Sequence, residues 1–151
     1  MADYVGFCRS NYFRLKDAEA AGRFREICER YGLQPLEGGV NSPAEPGLFG
    51  FHCKDDGPAE GAYPAGYYDG GELVEESLCD ELAPLLADGS VCVLMEVGRE
   101  HRRYLNGWAT AFTNRCDPAR DVPDAMLIIN LDDIIDRARE RWGGEVTEVG
   151  Y

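Results

Sequence analysis

Ser90-Val91-Cys92-Val93-Leu94-Met95-Glu96-Val97, then Gly98-Arg99-Glu100, then His101 to Thr113 through Leu105-Asn106-Gly107-Trp108-Ala109-Thr110-Ala111-Phe112, is the stretch that decides the fold. An apolar run of strand length reads as a buried strand, and a second strand-forming run directly after it reads as its antiparallel partner. The Gly98-Arg99-Glu100 segment is the expected turn. A hairpin of this size in the second half of the chain makes a β-sheet the organising element, and the remaining segments are read for what they add to it.

Upstream, Tyr4 to Phe13 is rich in aromatic and strand-forming residues and predicts another strand, bulged near Ser10-Asn11. Asp17 is then a helix N-cap. Ala20, Phe24, Ile27, Cys28 and Tyr31 follow at helical spacing, and Gly32 ends the helix. Residues 34–47 carry three Gly and three Pro and read as a loop leading to a short strand at 48–53. Residues 55–71 form the longest irregular stretch, longer than an ordinary connection. Asp69-Gly70-Gly71-Glu72 has the spacing of a capping box. Leu73, Val74, Leu78, Leu82, Leu85 and Leu86 then supply a helical apolar stripe that Pro84 closes. Downstream, residues 124–129 predict one more strand. A last helix starts near Asn130, places Leu131, Ile134, Ile135, Ala138 and Trp142 on one face, and stops at Gly143. Residues 145–151 are expected to fray.

The expected fold is therefore α+β: a single domain over residues 1–151, with a mostly antiparallel sheet of about five strands and three helices on one face. The 151 residues suffice for one core and not for two of ordinary size. The sequence shows neither a secretory signal at Met1-Ala2-Asp3-Tyr4 nor an apolar run that spans a bilayer. The expectation is a soluble protein of the bacterial cytoplasm, away from membranes. Cys8, Cys28, Cys53, Cys79, Cys92 and Cys116 include no Cys-x-x-Cys pair, so they read as reduced thiols, several of them small core hydrophobes, and not as a metal site.

Charge is the most informative global property. The formal net charge is −13, from 28 acids against 15 bases. From residue 55 to 98 the chain has no Lys, Arg or His, while Asp55, Asp56, Glu60, Asp69, Glu72, Glu75, Glu76, Asp80, Glu81, Asp88 and Glu96 carry nearly the whole excess. Such a block repels nucleic acid and anionic membranes, and attracts a basic protein surface over roughly 8 to 10 Å at physiological salt. On the expected middle helix, Glu72, Glu76 and Asp80 fall at i, i+4 and i+8. Like charges at that spacing cost about 0.2 to 0.5 kcal/mol per pair, so a partner and not local stability accounts for the row. At about 6 Å between neighbouring carboxylates, one helix is sparser than a phosphate backbone. The preceding loop, with Asp55, Asp56, Glu60 and Asp69, would supply a second set. Tyr63, Tyr67 and Tyr68 in that loop are candidate interface anchors. The bland alternative is a solvated acidic face that aids solubility.

Catalytic patterns are missing from the sequence: no Gly-x-Ser-x-Gly elbow, no phosphate-cradling glycine loop, no His-Glu-x-x-His. His52 and Cys53 are adjacent, and neighbours on a strand point to opposite faces. Asp132 and Asp133 suit a helix N-terminus. Asp55-Asp56-Gly57 lacks the alternating ligands of a calcium loop. No catalytic residue, metal or cofactor is expected. Arg99, Arg102 and Arg103 are expected to pair with the acidic helix inside the fold, the alternative being an anionic patch on a partner.

The segments Arg9-Ser10-Asn11-Tyr12-Phe13-Arg14-Leu15-Lys16-Asp17 and Arg102-Arg103-Tyr104-Leu105-Asn106-Gly107-Trp108-Ala109 resemble small acidic proteins carried by phages and other bacterial mobile elements. The resemblance implies a counter-defence factor of the anti-CRISPR or anti-restriction kind. Such a protein would be a non-enzymatic inhibitor, a partial DNA mimic whose partner is the basic channel of a guide-RNA complex or a defence nuclease. The alternative expectation is a regulatory module of a mobile element that binds another cellular protein through an apolar surface.

Overall fold

The computed structural model describes residues 4–53, 67–74, 76–100, 104–115, 126–128, 131–143 and 146–147. Along the chain the elements are β1 (Tyr4–Ser10), α1 (Ala18–Arg30), β2 (Leu33–Glu37), β3 (Phe49–Cys53), β4 (Tyr67–Asp69), β5 (Glu72–Val74), α2 (Leu78–Leu82), a 3-10 turn (Ala83–Leu85), β6 (Cys92–Glu100), β7 (Tyr104–Phe112), β8 (Met126–Ile128) and α3 (Leu131–Trp142). Six strands form one sheet in the order β2-β3-β1-β6-β7-β8, every neighbouring pair antiparallel, and β4-β5 form a separate hairpin. The α+β class and the antiparallel sheet are as the sequence predicts.

The helices occupy both faces of the sheet, not one. On the first face α1 and α2 cover Cys8, Phe51, Cys53, Cys92, Leu94 and Phe112. On the second, Ile135, Ala138 and Trp142 of α3 cover Val91, Val93, Ala109 and Ala111. The physical reason lies in the run Val91-Cys92-Val93-Leu94. A strand whose consecutive residues are all apolar and all buried has a dry environment on each side.

Aromatic packing anchors the first face. Phe24 of α1 stands edge-on to Phe13 at 5.7 Å and to Phe49 at 5.8 Å, and Phe13 meets Phe51 at 6.4 Å. Each such pair is worth about 0.5 to 1.5 kcal/mol beyond the area it buries. The helix that carries Phe24 is positioned by Asp17, whose Oδ1 accepts from the Ala20 N–H at 2.7 Å.

Four local readings are corrected. Residues 33–37, mostly read as loop, are the edge strand β2; Pro35 misled the reading, since a residue without an N–H is tolerated in a sheet at its edge. The β6 ladder runs on through Gly98, Arg99 and Glu100 to the pair Glu100 with Tyr104, so the connection is residues 101–103, outside the described residues. Val146 is buried, and the Thr147 hydroxyl donates to the Tyr12 carbonyl at 2.7 Å and accepts from its N–H at 3.1 Å, so this part of the tail is pinned, not frayed. The fourth, the acidic middle helix, decides the candidate site.

Strand β1 ends in a side-chain substitution for the ladder. The buried Asn11 carboxamide accepts from Val93 N at 2.8 Å and donates to Val91 O at 3.0 Å, as a peptide group of a continuing strand would. Gly50 opposite is tightly enclosed: a Cβ there would lie 3.0 Å from the Asn11 carbonyl and 3.3 Å from the Tyr12 ring, so these neighbours would have to give by a few tenths of an ångström.

Candidate partner-binding surface

The single acidic helix expected from Glu72 onward does not form. Asp69-Gly70-Gly71-Glu72 is a hairpin turn: Gly70 and Gly71 both have positive φ, 58° and 90°, the requirement of the tight turns that join two strands. Helix α2 begins only at Leu78. Ser77 caps it, with its hydroxyl accepting from the Asp80 N–H at 3.4 Å. Glu72 therefore sits on β5, Glu76 in the segment before the cap, and Asp80 alone on the helix, so the i, i+4, i+8 row is absent.

What replaces it is an acidic hairpin. Asp69 and Glu72 are directly opposite in register, flank the turn, and are exposed. Among the described residues no cation pairs with either. Like charges directly opposite on a strand pair are destabilising, and a hairpin of three residues per strand is marginal by itself. The principal contacts of β4 and β5 are with each other and not with the main sheet. Tyr67 and Tyr68 stand on β4. Asp55, Asp56, Glu60, Tyr63 and Glu75 lie outside the described residues.

Two neighbouring acids are committed to the fold. Arg30, in the last turn of α1, donates to Glu81 Oε1 at 2.6 Å and lies 4.0 Å from Glu76. The Tyr31 hydroxyl donates to the Glu76 carbonyl at 3.2 Å. Burial first, then hydrogen bonding to Glu81 and the charges of Glu81 and Glu76, push the Tyr31 phenol well above its ordinary pKa. Among the described residues the cation that meets the acidic segment is Arg30; the expected pairing of Arg99, Arg102 and Arg103 concerns side chains outside the described residues. Of these, Arg99 is a ladder residue of β6, and Arg102 and Arg103 lie outside the described residues. Of the acids in this segment whose side chains are described, Asp69, Glu72 and Asp80 are in no ion pair.

His52 and Cys53 take opposite faces of β3: Cys53 is in the core under α1, while His52 is half-buried on the other side, its Nδ1 2.6 Å from the Cys53 carbonyl. Cys8, Cys28 and Cys92 are likewise buried, and burial pushes the Cys92 thiol up. Among the described residues no three His, Cys, Asp or Glu are placed to hold a metal ion, and no helix is long and apolar enough to cross a membrane.

The hairpin had a signal in the sequence that capping-box spacing obscured: Gly-Gly between Tyr-Tyr-Asp and Glu-Leu-Val is strand, turn, strand. Comparison of the chain with protein-family models, with curated proteins and with solved structures found no match.

Proposed function

We propose that this protein is a non-catalytic acidic inhibitor. It places the β4-β5 hairpin and the carboxylates around it on a basic, nucleic-acid-accepting protein surface, with carboxylates standing where phosphates would. The target class is the DNA channel of a bacterial guide-RNA defence complex, to which the resemblance of the Arg9–Asp17 and Arg102–Ala109 segments points. The observation that carries the reading is the pairing of Asp69 with Glu72 across a glycine turn, exposed and with no cation among the described residues. That arrangement costs local stability and gains energy only against a positive surface.

Two further features support it. Residues 55–98 contain no base, so the field around the hairpin has one sign. Among the described residues Val40 is the one exposed large apolar side chain, which favours a polar docking surface over an apolar one.

The test is capture on the tagged protein from a bacterial lysate with an active CRISPR system, at low and high salt, with target DNA as competitor. Salt-sensitive recovery of the guide-RNA complex, displaced by DNA, is expected. Capture that resists high salt and ignores DNA would overturn the reading.

A further inference from the structure

Five of the six cysteines lie among the described residues, and the fold treats them unequally. Cys28 of α1 and Cys92 of β6 are core residues of the first face, with Cys79 of α2 packed against that core. Cys8 and Cys53 differ, because the sheet sets them side by side. Strands β1 and β3 are antiparallel with Arg9 opposite His52. One step along each strand, Cys8 therefore stands opposite Cys53, the last residue of β3. Both side chains belong to the same buried cluster, so they share a face.

Their contact is direct. The Cys8 N–H donates to Cys53 Sγ at 3.3 Å, which holds the Cys53 side chain over the Cys8 backbone. Opposite residues of an antiparallel pair have Cα atoms about 4.5 to 5.5 Å apart, inside the roughly 4.4 to 6.8 Å that a disulfide spans. Their Cβ atoms, at about 4.5 to 5.5 Å, have to close by no more than about 1 Å to reach the disulfide range. That adjustment falls at the terminal pair of the β1-β3 ladder. Exposure separates the two roles. Cys53 retains 7% of its surface and Cys8 none. Cys53 is thus the sulfur that a water-sized oxidant meets first, and Cys8 the one placed to resolve it.

We propose that Cys8 and Cys53 are a latent disulfide, a modification site that a peroxide closes. The Cys53 sulfur attacks the peroxide: an S–O bond forms, the O–O bond breaks, water leaves, and Cys53 becomes a sulfenic acid. The Cys8 sulfur then attacks the Cys53 sulfur. The S–S bond forms, the S–O bond breaks, and the hydroxyl leaves as water with the Cys8 proton. In sum, two thiols give up two electrons and two protons, and one peroxide becomes two waters. The link ties β1 to β3 and closes the chain that carries α1 and β2 into a loop. It lies on the main sheet, apart from the β4-β5 hairpin, and stands or falls independently of the inhibitor reading.

The experiment treats the reduced, folded full chain with hydrogen peroxide, alkylates the remaining thiols under denaturing conditions, and maps the links by peptide mass spectrometry. The expected product is a monomer that has lost two hydrogens, with the Cys8 and Cys53 peptides joined as the dominant pair. Cys53→Ala should abolish that pair. Cys8→Ala should leave Cys53 as a sulfenic acid that dimedone captures, a product the unmodified chain consumes. Should either variant fail to fold, the map of the unmodified chain decides alone. A dominant link through Cys28, Cys79, Cys92 or Cys116, or recovery of both Cys8 and Cys53 as alkylated thiols after prolonged exposure to peroxide, would overturn the site.

Discussion

The Asn11 carboxamide is a stand-in for a peptide bond between β1 and β6, bonded at 2.8 Å to the Val93 N–H and at 3.0 Å to the Val91 carbonyl. Asn11→Ala leaves both partners buried and unsatisfied, at about 1 to 3 kcal/mol each, so a loss of about 2 to 6 kcal/mol is expected. The denaturant midpoint measures it, and a change below about 0.5 kcal/mol would show that water takes over the role.

Tyr31 sets the alkaline limit of the fold. Its pKa in the folded protein lies above the ordinary 10.0, so its contribution is fully present below that pH and fades as the unfolded phenol ionises above it. Stability should therefore fall above about pH 10, and Tyr31→Phe should flatten that limb. Glu81→Gln, which removes one of the lesser causes, should move the Tyr31 titration part of the way back. Difference absorbance against Tyr31→Phe resolves it.

The Arg30 pair with Glu81 is a modest tie. With side chains 40% and 22% exposed, it contributes about 0.2 to 1 kcal/mol after solvent screening. Glu81→Ala should lower stability by that amount in dilute buffer and by less in high salt.

For partner binding, Asp69→Lys with Glu72→Lys and Asp80→Lys should abolish capture of a basic target while leaving the unfolding midpoint within about 0.5 kcal/mol, since all three are exposed and free of ion pairs. Glu76→Lys is a poor probe, because it also sets a second cation against Arg30. Normal capture by the triple variant at moderate salt would remove the hairpin from the interface.

Gly71→Ala separates shape from charge. At φ 90° an alanine is strained by about 1 to 2 kcal/mol, enough to open a three-residue hairpin that packs mainly on itself. Global stability should hardly change, and affinity should fall although every carboxylate remains. Unchanged affinity would mean that the acidic chain binds without its turn.

The parts legible in the sequence were those whose signal is local. Asp17 as cap, Phe24, Ile27 and Cys28 as a buried helix face, and Gly143 as the stop of α3 all depend on neighbours a few positions away, and all hold. Where two local codes overlap, the sequence does not decide between them. Asp69-Gly70-Gly71-Glu72 satisfies both a capping box and a hairpin turn, and two successive positive φ angles select the turn. Pro35 reads as loop to any local rule and becomes edge strand because β3 lies beside it on one side only. The adjacency of Cys8 and Cys53 had no signal at all, because it exists only through the pairing of β1 with β3.

The placement of β1 has a consequence for how the chain is made. Strand β1 lies in the interior of the sheet, and its longest ladder is with β6, made much later in the chain, from Ser10 with Leu94 to Tyr4 with Glu100. At about 5 to 20 residues per second, β1 waits roughly 5 to 20 seconds for that partner. Through this interval α1 and the β2-β3 pair have only one side of their sheet. The nascent chain is an incomplete sheet with an open central edge, the state in which it is most exposed to chaperones, proteases and pairing with another copy of itself.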